Sequence, residues 1–346
     1  MRRRPGVVAT LVAGLALAAC SATDEPDESS SGDAGAGEQV EVPGVAVNGD
    51  SAALSPDGSR IAVPCDGRLC VWSTADGSLE QQWDGGGVVA WSTADLLATD
   101  RVDGGTVELV VLDAATGDEV TSAAAYESDV MQDASSEGFL DLAFSADGET
   151  VAGVGADGVV RLWPVDDPGG LVEVDPEGDA PVAVAFAPDD ASIAIASSDA
   201  AVAVHDVRTG EVIGSLGGAP QGDVAWSADG SWIAGASFAF DDEATTTIWD
   251  AASREVAATL PRAGDHVAFT PKSDALVLSE KKQRDVVRWT WADDDVRTLA
   301  GATDDPRAVL VAPDGARVYA VSPEDGVLAW DAAGGKPVIF DAPEED

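Results

Sequence analysis

Residues 144–165 read FSADGETVAGVGADGVVRLWPV, and this stretch decides the fold. Two short runs rich in Val sit on either side of Ala156-Asp157-Gly158, and the second ends at Trp163. β-Branched runs of this length favour strands, and an Asp-Gly pair accepts the positive φ angles of a tight hairpin turn. The opening phrase FSADG carries the same turn chemistry. The stretch therefore reads as three short antiparallel strands joined by tight turns.

The phrase recurs along the chain. LSPDG stands at 54–58, FAPDD at 186–190, WSADG at 226–230 and VAPDG at 311–315, with weaker copies WSTAD at 91–95 and FTPKSD at 269–274. The leading residues 54, 91, 144, 186, 226, 269 and 311 are separated by 37, 53, 42, 40, 43 and 42 positions. Each phrase is followed by two apolar runs and then by Trp72, Trp163, Trp249 or Trp330, or by Leu112, His205 or Trp289 in their place. A fourth strand follows, as in SLEQQW at 78–83, EVIGSL at 211–216 and KPVIF at 336–340. A lone four-stranded sheet leaves both faces wet, whereas seven packed radially cover one another.

This pattern resembles the WD40-type β-propeller over residues 44–341. Trp249-Asp250 and Trp330-Asp331 match that family's signature dipeptide. The Gly-His pair that usually opens such a repeat is absent, and the SPDG-like phrase is closer to divergent bacterial propellers of the TolB-like kind. The resemblance implies an all-β, seven-bladed β-propeller of four-stranded antiparallel blades, preceded by a signal peptide and a flexible linker. An eighth blade is the structural alternative. The extra chain of the 53-residue interval, residues 121–138, is expected to form a long loop too short to supply one. Blade seven owns an outer strand at 336–340, and residues 39–47 offer a further strand there.

The N-terminus carries an address. Arg2, Arg3 and Arg4 precede an uncharged run from Val7 to Ala19 that is too short to span a bilayer. Leu17-Ala18-Ala19-Cys20 resembles a bacterial lipobox. That resemblance implies signal-peptide removal after residue 19, acylation (palmitate or a similar chain) of Cys20, and anchoring at the extracytoplasmic face of the cell membrane. The general secretory route is favoured over the twin-arginine route, whose flanking residues are missing. Residues 20–43 are poor in large apolar side chains and rich in Ser, Gly, Asp and Glu, the composition of a disordered tether. Residues 342–346 form an acidic tail.

The chain has 346 residues, 19 basic and 63 acidic, for a formal charge of −44. Such a field repels phosphodiester backbones, which excludes nucleic acid as a partner. Two His and three Cys give little material for a metal centre, and neither a DxDxDG nor an HExxH motif occurs. No metal or cofactor is expected. The acidic pairs and triples at Asp166-Asp167, Asp189-Asp190, Asp241-Asp242-Glu243 and Asp293-Asp294-Asp295 read as solvated turns. Cys65 and Cys70 flank Asp66-Gly67-Arg68-Leu69. If those four residues form the loop, the two thiols lie directly opposite on adjacent strands and form a disulfide; the alternative is two small buried apolar residues.

His205 reads as a packed blade residue, and His266 as lying just before a first strand, near a loop mouth. Three irregular places are candidate interaction loops: residues 121–138 with Tyr126 and Met131, residues 237–247 with Phe238 and Phe240, and the basic blade six with Lys281, Lys282 and Arg284. Blade six also holds Arg262, Lys272, Arg288 and Arg297. The reading is a membrane-anchored, non-catalytic scaffold, a monomeric disc that binds an envelope protein or peptide. The alternatives are an exported lactonase-like hydrolase and a channel-mouth binder of cations or small ligands. These require acids or His converging at one channel mouth, for which no Asp spacing is visible; a scaffold requires a channel lined by small apolar side chains.

Overall fold

The computed structural model describes residues 51–65, 67–128, 138–237, 244–262, 264–280 and 284–340. Its strands form seven four-stranded antiparallel sheets, each built from four strands consecutive in the chain. The first strands, Ala53–Leu54, Val89–Trp91, Phe139–Phe144, Pro181–Phe186, Gln221–Trp226, Gly264–Phe269 and Ala308–Val311, each end at a leading residue of the repeated phrase. A 3-10 turn at Pro168–Gly170 interrupts the β pattern. Among the described residues no helix is long and apolar enough to cross a membrane.

One register repeats in all seven blades. The leading residue pairs with a second-strand residue, which in turn pairs with the Trp position. The triplets are Leu54–Ile61–Trp72, Trp91–Leu97–Leu112, Phe144–Val151–Trp163, Phe186–Ile193–His205, Trp226–Ile233–Trp249, Phe269–Leu276–Trp289 and Val311–Val318–Trp330. The Trp-position residues are all buried. Seven separate hydrophobic clusters fill the ring, and each is shared by two neighbouring blades. The cluster that closes it packs Ile61, Val63 and Trp72 of blade one against Tyr319, Val321 and Phe340 of blade seven. Removing this much apolar surface from water, at roughly 25 cal/mol per Å², is the main force holding blade to blade.

The repeated phrase earns its recurrence as a turn. Ser55 Oγ donates to Asp57 Oδ1 at 2.7 Å and accepts the Arg60 amide at 2.9 Å. Ser145 with Asp147, and Ser227 with Asp229, repeat both bonds. The Ser59 amide and the Ser55 and Ser59 hydroxyls pull the Asp57 carboxyl down to about 2. Gly58, Gly148, Gly230 and Gly315 close the turn at φ near +70° to +75°, which suits a residue without Cβ. Blades two, four and six place Asp95, Asp190 and Ser273 there, at φ 60°, 58° and 57°. Each of these side chains reaches the preceding blade. Asp95 accepts from Arg60 Nη2 at 3.0 Å, Asp190 from the Ala146 and Asp147 amides at 2.5 and 3.1 Å, and Ser273 Oγ from the Asp229 amide at 3.2 Å.

Two expectations are corrected. The 53-residue interval is largely strand: Leu96–Asp103, Thr106–Asp113 and Glu119–Glu127 are the longest hairpin arms in the ring. Residues 121–127 therefore belong to blade two's outer strand and not to a loop. The disulfide Cys65–Cys70 is present, but its partners are diagonal. Cys65 pairs with Arg68 and Cys70 with Val63, so two residues, not four, connect the strands. The Cα atoms are 5.9 Å apart, within disulfide reach.

Candidate functional site

Antiparallel order divides the connections between two faces. One face carries the first-to-second and third-to-fourth strand turns and is called the turn face. The other, the connection face, carries the second-to-third turns and the links between blades. The strands that flank all three irregular places end on the connection face. The link into blade three leaves after Glu127, the blade-five hairpin leaves after Ser237, and the blade-six hairpin leaves after Glu280. Met131, Phe238, Phe240, Lys281 and Lys282 lie outside the described residues, as do Cys20 and Asp241-Asp242-Glu243.

Tyr126 and Arg284 are described, and both have internal work. Tyr126 Oη donates to Gly138 O at 2.6 Å and accepts the Ala156 amide at 3.0 Å. Its ring packs edge-on to Phe139 and lies under the Arg161 guanidinium. Burial pushes its hydroxyl up to about 12. Arg284 is exposed, donates to Thr303 O at 2.7 Å and sits 3.7 Å from Asp305, on the link into blade seven. Nearby, Arg262 pairs with the buried Glu280 at 3.1 Å. Residue types alone did not reveal which candidates are tied into the scaffold.

The inner strands hold a second group. Ser51, Val88, Asp141, Ala183, Asp223, His266 and Ala308 each stand three residues before a leading residue. The set is mixed: Val88, Ala183 and Ala308 are buried in the clusters between blades, and the other blades carry polar residues here. His266 falls within a first strand, Gly264–Phe269, and not before it. Its Nδ1 lies 3.7 Å from Asp223 Oδ2. Asp141 lies within electrostatic reach of both Asp223 and His266, and desolvation, reinforced by Asp223, raises its carboxyl to about 7.

Three of these four polar side chains also accept from the next blade. The Val89 amide donates to Ser51 Oγ at 3.1 Å, the Val184 amide to Asp141 Oδ2 at 2.9 Å and the Val267 amide to Asp223 Oδ2 at 2.8 Å. Sequence reasoning missed this convergence because single Asp and His residues 82 and 43 positions apart form no local motif. Their common offset from the leading aromatic residue was the available signal. Among the described residues no group of three or more His, Cys, Asp and Glu is arranged to hold a metal ion. His205 is buried in the Trp position with Nδ1 at 3.1 Å from Gly210 O, and burial lowers its pKa.

The geometry defines a seven-bladed β-propeller of four-stranded blades, and the comparisons find likenesses to WD-repeat proteins. The family model described as "WD domain, G-beta repeat" matches residues 131–164. "WD repeat-containing protein 1" of Xenopus tropicalis is 36% identical over 81 residues, which is 22% of this chain and 13% of that protein. The chain thus aligns with only a small part of that relative. A chain from "Crystal Structure of Mitotic Checkpoint Complex" superposes with TM-score 0.69 at 14% identity, covering 85% of this chain and 94% of that one. At that identity the likeness speaks for the fold.

Proposed function

We propose that this chain is a non-catalytic protein-interaction scaffold, exported and held at the extracytoplasmic face of the cell membrane by a lipid on Cys20. The carrying observation is the asymmetry of the disc. The turn face repeats one stitched Ser-Asp turn in blades one, three and five, whereas the strands flanking the three departures from the beat end on the connection face. Binding tends to reside on variable loops set on a rigid frame. The occurrence of a similar fold in a chain of a solved protein complex supports the reading by analogy. The partner is an envelope protein or peptide that meets the connection face.

A mild-detergent membrane pull-down with mass spectrometry tests it, comparing the native chain, Cys20→Ala, Arg284→Glu and a turn-face control, Arg208→Glu. A near-stoichiometric protein is expected with the native chain and the control, reduced by the other two substitutions. Absence of any enriched protein, or equal loss with Arg208→Glu, sinks the connection-face scaffold. The meeting of Asp141, Asp223 and His266 favours one second reading, a channel site for a small ligand or a hydrolytic step. Substrate turnover abolished by Asp223→Asn would replace the first reading with this one.

A further inference from the structure

The basic residues of blade six separate onto two faces. Arg262 and Arg284 lie on the connection face, while Lys272, Arg288 and Arg297 line a turn-face cleft of about 300 Å³ between blades six and seven. In a chain of formal charge −44, three cations in one cleft need a reason. Arg297 is paired with Asp295 at 2.8 Å. Half-buried Arg288 donates only to the Thr290 hydroxyl at 3.1 Å, and among the described residues Lys272 has no hydrogen-bond or ion-pair partner. The two acids on the wall are occupied in part: Asp274 accepts from the Thr270 hydroxyl and Asp314 from the Ala316 amide, both at 2.8 Å.

The cleft lacks a side chain that two other borders carry. On the turn face between blades seven and one, Arg317 Nη1 donates to Thr74 O at 2.8 Å; between one and two, Arg60 Nη1 donates to Ala114 O at 2.8 Å. Both arginines occupy one position, whose carbonyl accepts from the turn residue Ala312 or Ser55 at 2.9 Å. In blade six the same bond joins the Thr270 amide to Ala275 O, also at 2.9 Å, so Ala275 stands where the bridging arginine would be. The bridge is missing, and the space it would cross is lined by cations.

We propose that this cleft binds a phosphomonoester-class dianion, gripped by Lys272 and Arg288 with Arg297 at its mouth. Two cations lacking carboxylate partners match a doubly charged tetrahedral group, and a guanidinium fork suits its oxygens. A carboxylate offers one charge to the same pair and is the weaker fit. The site lies on the opposite face from the scaffold surface and does not depend on that reading.

Isothermal titration of the full chain with inorganic phosphate at low ionic strength tests the proposal. One phosphate per chain is expected, weakened at least tenfold by Lys272→Gln and by Arg288→Gln, and unchanged by Arg208→Gln in a turn of blade four. Ala275→Arg, the side chain that blades one and seven carry at this position, should abolish binding by filling the cleft with a competing guanidinium. If that variant fails to fold, exposed Lys272→Gln carries the test. Glycerol phosphate and phosphatidic-acid vesicles serve as separate arms; Lys272-dependent binding of either supports the site and identifies its source. No phosphate binding, equal weakening by Arg208→Gln, or acetate binding as tight as phosphate overturns it.

Discussion

Trp249 and Trp289 hold the same place in adjacent blades and differ in one atom's fate. Trp249 Nε1 donates to Gly217 O at 2.8 Å, and Trp330 Nε1 donates to Ala300 O at 3.1 Å. Trp72 and Trp289 bury that N–H without a partner among the described residues. Replacement by Phe removes similar ring volume at each site, so the difference isolates the hydrogen bond. Trp249→Phe should cost about 1–2 kcal/mol more than Trp289→Phe, because it gives up a hydrogen bond whereas the other removes a buried N–H that had no partner. Equal shifts of the urea midpoint would refute this. The Trp spacing was plain in the sequence, but the partners were not, since they are carbonyls on the link leaving the preceding blade. The cysteines teach the same lesson: their proximity followed from spacing, while their diagonal register depended on a turn length that Asp66-Gly67-Arg68-Leu69 leaves ambiguous.

At the scale of the element, the inner strands couple the ring to pH. The Asp141 carboxyl, raised to about 7, keeps its proton in the folded chain after the unfolded chain has lost it. Its contribution therefore opposes folding progressively as pH climbs from about 4 to about 7 and is constant above that. Asp141→Asn should flatten this decline and stabilise the chain at pH 8 by on the order of 2 kcal/mol, with little change at pH 4. Chemical denaturation at the two pH values checks it; equal effects at both would contradict the assignment. Strand order and the turn phrase were legible because Asp-Gly turns and Val-rich runs are local signals. Blade two's outer strand was not, since Ser122-Ala123-Ala124-Ala125 has weak β preference and is held by pairing with residues 107–111.

Across the whole molecule, closure rests on side chains that cross from blade to blade. Arg317→Met should speed amide exchange in blades seven and one together by roughly fivefold, and Arg60→Met should do so in one and two, if each bridge contributes about 1 kcal/mol to local opening. Exchange that rises uniformly around the ring would show that these contacts are not local fasteners. The sequence displayed the seven-fold beat but hid a slower rhythm beneath it. Ser51, Asp141 and Asp223 reach forward from blades one, three and five, and Asp95, Asp190 and Ser273 reach back from blades two, four and six. These six side chains pair blade one with two, three with four and five with six, and pairs cannot tile a circle of odd number. Three couples leave one bachelor, blade seven, whose two borders must be solved individually: one by an arginine, the other by an open, positively charged seam. Parity leaves blade seven outside the couples, and Ala275 of blade six leaves its border with that blade without the arginine used on the other side.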